Sequence, residues 1–138
     1  MKTYRRICYI VLWQMVQFLS AYAMQSDGIP EKIILSVKAG NASELAEYFY
    51  SNIELVILGK EDVYSKTQAE QILRKFFADH RPTSFKIIFE GGKETSRYAI
   101  GSLTTSTGDF RVYFLIKDQD GSPLIHQLRI EEEDDDNL

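Results

Sequence analysis

Apolar residues recur along this chain in two rhythms, a helical spacing that dominates up to Phe77 and a strict alternation beyond Pro82. Pro30 suits the first turn of a helix, and Ile33, Ile34 and Val37 fall on one face before Gly40 stops it. Asn41 then opens a second helix, with Glu44 placed as its capping-box partner and Leu45, Tyr48 and Phe49 at i, i+3 and i+4. From Asn52 to Leu58 the pattern turns to a strand, Ile53, Leu55 and Ile57 alternating with Glu54, Val56 and Leu58. A turn over Gly59, Lys60, Glu61 and Asp62 leads into a short returning strand at Val63 and Tyr64. Ser65 and Gln68 form a second capping box. Ala69, Ile72, Leu73, Phe76 and Phe77 follow in the most regular helical stripe of the chain, which Pro82 ends.

Four alternating runs come next: Phe85 to Glu90, Tyr98 to Thr105, Phe110 to Lys117 and Leu124 to Ile130. Gly91-Gly92, Thr107-Gly108-Asp109 and Asp120-Gly121 separate them, which predicts an antiparallel meander. The fold class is therefore α+β, with three helices packed on a strongly curved antiparallel sheet. The third run carries Phe110, Val112, Phe114 and Ile116 on one side, yet Tyr113 and Leu115 on the other. Alternation is cleaner when one face is wet. We therefore expect the outer face to be partly covered, with a homodimer through the sheet as the natural means.

The first residues change the picture of where this domain resides. Lys2, Arg5 and Arg6 precede an apolar stretch from Ile7 to Phe18, and Ser20-Ala21-Tyr22-Ala23 ends it with small residues two apart. Positive start, apolar middle and small-x-small end are the parts of a secretory signal, with cleavage expected after Ala23 and Ala21 completing the recognition. Gln14 and Gln17 interrupt a segment shorter than the roughly 20 apolar residues of a membrane span, so no stable span is expected after cleavage. The division is then a signal peptide over 1–23, one α+β domain over 24–131 and an acidic, solvated tail over 132–138. The chain's single cysteine, Cys8, falls in the leader, and the mature domain must fold on packing alone. That suits an exported protein of the periplasm, or a secreted one, of a Gram-negative bacterium.

Charge excludes one class of partner. The full chain has 16 basic and 20 acidic residues, and six of the acids form the run Glu131 to Asp136. Nucleic-acid binding needs a basic footprint, and none is visible.

Several short motifs stand in order: Gly40-Asn41-Ala42-Ser43, Val63-Tyr64-Ser65-Lys66, Phe76-Phe77, Ser84-Phe85, Ser96-Arg97-Tyr98-Ala99-Ile100-Gly101, Phe110-Arg111-Val112-Tyr113 and Gln127-Leu128-Arg129-Ile130. Together they resemble a family of short exported proteins from Gram-negative gut and environmental bacteria, known as domain of unknown function 4783. The order of elements also resembles the nuclear transport factor 2-like (cystatin-like) superfamily. That resemblance implies a cone, in which a bent sheet wraps the helices and leaves a pocket at its open end. It implies no activity, because this fold hosts isomerases, dehydratases and inert binding modules alike.

The candidate chemistry is sparse. An isomerase or dehydratase on this fold requires a base within the cone and a donor for the developing enolate. His126, expected on the strand face of Leu124, Leu128 and Ile130, is the candidate base, and Tyr98 or Tyr113 the donor. The ordinary reading of such a histidine is a hydrogen-bonded core residue. His80, at a helix end, fits a favourable interaction with the helix dipole. Arg111 and Arg129 lie mid-strand in adjacent runs and suggest an anion or acidic-tail site, or else solvated cations pairing with Glu54 or Glu90. Tyr48 and Tyr64 add phenols for ligand binding. No metal-ligand spacing, phosphate loop or nucleophile motif is present, and no cofactor is expected. These features point to a non-catalytic module binding a small molecule or an envelope protein. A small-molecule enzyme and a purely structural envelope component are the alternatives.

Overall fold

The computed structural model describes Thr3, Tyr4 and residues 28–134. The expected leader and its cleavage residues Ala21 and Ala23 lie outside the described residues, as do residues 135–138. Helix α1 (Glu31–Ala39) begins after Pro30 and ends at Gly40, whose left-handed φ of 64° returns its N–H to the carbonyls of Ser36 and Val37. Asn41 caps α2 (Ala42–Ala46), its side chain accepting the backbone N–H of Glu44 at 3.1 Å. This helix is shorter than its spacing predicts. Phe49 belongs to strand β1 (Phe49–Ile57), where the Tyr48 carbonyl accepts the Ile125 N–H at 2.6 Å and draws the chain into the sheet.

A two-residue turn at Leu58 and Gly59 joins β1 to β2 (Lys60–Ser65). The reciprocal capping box of Ser65 and Gln68 then starts α3 (Lys66–Asp79), which buries Ala69, Leu73, Phe76 and Phe77 as its stripe predicts. The meander follows as β3 (Pro82–Lys93), β4 (Ser96–Thr105), β5 (Gly108–Gln119) and β6 (Ser122–Glu132). Gly91 and Gly92 are not its first turn. They pair with Tyr98 and Arg97 inside the ladder, and the chain reverses at Glu94 and Thr95. The second reversal likewise falls at Ser106 and Thr107, just before Gly108.

All six strands form one curved sheet in the order β2-β1-β6-β5-β4-β3. Contrary to expectation it is not antiparallel throughout: β1 pairs in parallel with β6, which no local pattern announces. Bulges at Ile88 in β3 and at His126 in β6 bend it. Phe85, Leu103, Phe110, Phe114, Leu128 and Ile130 cover its concave side and pack on Ile33, Val37, Leu45, Leu73 and Phe77 of the helices. Gly101 leaves room for the Phe85 ring, which lies where a β-carbon would otherwise project. β6 continues through Glu132, so the acidic run begins as strand, and Glu133 is tied back to the sheet rather than free in solvent.

Candidate functional site

A cleft of about 390 Å³ opens between α3 and the β1–β2 hairpin. Leu55, Ile57 and Tyr64 form one wall, and Ile72 and Phe76 the other. Both walls follow from periodicity. Alternation turns Leu55 and Ile57 to the concave side, pairing places Tyr64 opposite Ile53 on that side, and helical spacing brings Ile72 and Phe76 to face them. Lys60, Lys75, Asp79 and His80 rim the apolar floor. Lys75 and Asp79 pair at 3.1 Å in an exposed i, i+4 bridge. His80 packs its ring on Phe76 and Phe110, with centroids 4.7 and 5.0 Å away, and its Nδ1 shares a hydrogen bond with the Thr107 hydroxyl. Leu58 closes the mouth. It is 44% exposed and has a φ of 50°, a left-handed conformation that a leucine rarely adopts. An apolar cleft with a few charges at its edge can hold an amphipathic group, and it aligns no nucleophile with a base.

Of the residues proposed from sequence for catalysis or ligand binding, Tyr64 reaches this cleft, and the helix-end His80 stands at its rim. Tyr48 packs against the core. Tyr98 and Tyr113 come together, but on the outer face of the sheet, in a row with Phe89 whose ring centroids stand 5.8 and 6.3 Å apart. His126 is not on the face of Leu128 and Ile130. It is the extra residue of the β6 bulge, between Ile125 opposite Ile116 and Gln127 opposite Leu115, and the bulge turns it to the other side. There its ring stacks on Tyr50 at 4.2 Å and 16°, and its Nε2 is shut off from solvent with no partner among the described residues. Burial, and then the charge of Lys117, holds its pKa below the ordinary histidine value. The tyrosine on which the imidazole stacks is thus Tyr50, not either proposed donor, and Tyr113 stands opposite Arg129.

The two arginines also find definite partners. Arg111 donates to the Glu133 carboxylate and Arg129 to Glu131, the latter at 3.1 Å. Neither pairing uses Glu54, which accepts from Gln127 at 2.8 Å, or Glu90, which lies beside Gly28. Glu133 also accepts from the Ser102 hydroxyl at 3.0 Å, and the hydrogen bonds from Arg111 and Ser102 hold its carboxyl below the ordinary range. Sequence reasoning passed over the cleft rim, because Lys60, Lys75 and Asp79 read as ordinary exposed positions until the hairpin is folded against α3. It also passed over Ser102 as a partner for the arginine opposite it. Among the described residues no group of three or more histidine, cysteine or acidic side chains could hold a metal ion. No described helix is long and apolar enough to cross a membrane.

Comparison with known proteins places this geometry. No curated protein matches the chain. A crystal structure of a DUF4783 family protein from Bacteroides uniformis is 33% identical, with a TM-score of 0.74, covering 78% of this chain and 100% of its own. A second, from Bacteroides ovatus, is 30% identical with a TM-score of 0.75 and covers 80% of this chain and 100% of its own. A protein of unknown function from Silicibacter pomeroyi, described as NTF-2 like, shares the fold at 12% identity and a TM-score of 0.55, covering 75% of this chain and 88% of its own. The model of the family described as Domain of unknown function (DUF4783) matches residues 30–131. Spanning nearly the whole described domain, that match makes this chain a member of the DUF4783 family with a nuclear transport factor 2-like fold.

Proposed function

We propose that this domain is a non-catalytic binding module of the bacterial envelope, taking an amphipathic small molecule or an apolar side chain of an envelope protein at the mouth of its cone. The observation that carries this reading is Leu58. A two-residue hairpin turn with both residues at positive φ, here 50° and 83°, favours Asn-Gly. Placing leucine there leaves an exposed apolar side chain in a strained conformation at the rim of an apolar cleft. Strain of this kind is found where a site needs it. The charged leader, expected to direct export, supports the location. The row of Phe89, Tyr98 and Tyr113 beside Ile100 and Leu115 on the outer face supports a homodimer through the sheet.

Leu58→Asn separates the roles of turn and site. We expect it to stabilise the fold by about 1 kcal/mol, because asparagine accepts the left-handed region more readily. We also expect it to weaken binding of the apolar fluorophore 1-anilinonaphthalene-8-sulfonate, as Tyr64→Ala should. Equal fluorophore binding by wild type and both variants would remove the cleft from consideration. Native mass spectrometry of protein purified from its own host would show whether a small molecule is carried. A purely structural component would carry none and would tolerate both changes. An enzyme would instead turn over a compound bound in the cleft.

A further inference from the structure

Glu133 lies one residue past the end of β6, yet three bonds reach it. Its N–H donates to the Asp109 carbonyl at 3.0 Å, and its two carboxylate oxygens accept separately from Arg111 on β5 and from Ser102 on β4 at 3.0 Å. Ser102 and Arg111 are directly opposed in the ladder, so the receiving groups stand side by side on a rigid sheet face. The carboxylate therefore crosses β5 to lie between two donors that the sheet fixes without it. Arg129, opposite Tyr113, extends the positive charge and is met by Glu131. Every described cation in this patch is thus engaged by an acid from the chain's own acidic run.

We propose that Ser102 and Arg111 form a carboxylate-binding notch on the outer sheet face, filled internally by Glu133, at which an acidic peptide segment of a partner protein docks by displacing it. The occupant's chemistry is read from the group already seated there, a glutamate preceded and followed by further acids. An internal ligand competes at high effective concentration, so the notch is weak towards outside peptides until the internal carboxylate leaves. This site lies on the face opposite the cleft and stands whether or not the cleft binds anything.

The test uses a fluorescein-labelled peptide of sequence EEEDDD and the full mature chain at constant ionic strength. Glu133→Ala should tighten peptide binding about fivefold over wild type, the scale expected for releasing an exposed latch. Adding Arg111→Gln or Ser102→Ala to that variant should abolish the gain, with thermal unfolding confirming that each protein is folded. Unchanged affinity in Glu133→Ala would overturn the proposal, as would a gain that survives both second changes. Inorganic phosphate displacing the peptide at equal concentration would overturn it in favour of a bare anion site. A doubling of mass in Glu133→Ala, with the acidic run of a second copy in the notch, would overturn the heterologous partner.

Discussion

His126 illustrates how one added residue redirects a side chain. Had β6 been regular, the imidazole would have entered the concave core; the bulge instead places it against Tyr50 with its Nε2 enclosed. The unfolded chain takes up a proton near the ordinary histidine value of 6.5, whereas the folded chain resists it. Stability from this group is therefore complete above that pH and is lost as pH falls through the lower folded value. We expect His126→Phe, which keeps a stacked ring without a buried nitrogen, to flatten that loss, as urea unfolding at successive pH values would show. Parallel decline in both proteins would place its origin elsewhere. Gly101 is constrained by the Phe85 ring over its backbone, with the Lys86 carbonyl 3.1 Å from where a β-carbon would sit. Gly101→Ala should destabilise by about 1–3 kcal/mol, read from the denaturant midpoint.

At the scale of elements, local chemistry decided what could be foreseen. The Ser65 and Gln68 capping box, the Gly40 stop and the Asp120-Gly121 turn are each set by residues within a few positions. Ser65→Ala should accordingly cost about 1 kcal/mol of stability, measurable by thermal or urea unfolding. What escaped the sequence was set by distant partners. Gly91 and Gly92 look like a turn, but their place in the ladder is fixed by Tyr98, whose ring lies where a Gly91 side chain would be. The second helix stops early because β6 competes for Tyr48 and Phe49. The same distinction holds for the sites. Tyr64 could be singled out, but the cleft rim and the Ser102–Arg111 notch exist only once strands remote in sequence lie together.

Taken as a whole, the molecule has two unlike faces: a concave one filled by aromatic and aliphatic packing, and an outer one bearing exposed rings. Ile88 and Phe89 are each 53% exposed at the β3 edge of that outer surface. If copies associate through the sheet, Phe89→Asp should convert a dimer to a monomer with little change in helical content, as light scattering and circular dichroism would report. An unchanged mass would disconnect the rings from self-association. The parallel contact of β1 with β6 has a further bearing on how the chain acquires its structure. Because the first strand finds one of its two neighbours only in the last, the sheet's parallel seam cannot close until nearly all of the polypeptide is available. A nascent chain would thus lack a closed sheet for as long as its final strand is missing, and complete its packing only once the whole polypeptide is free.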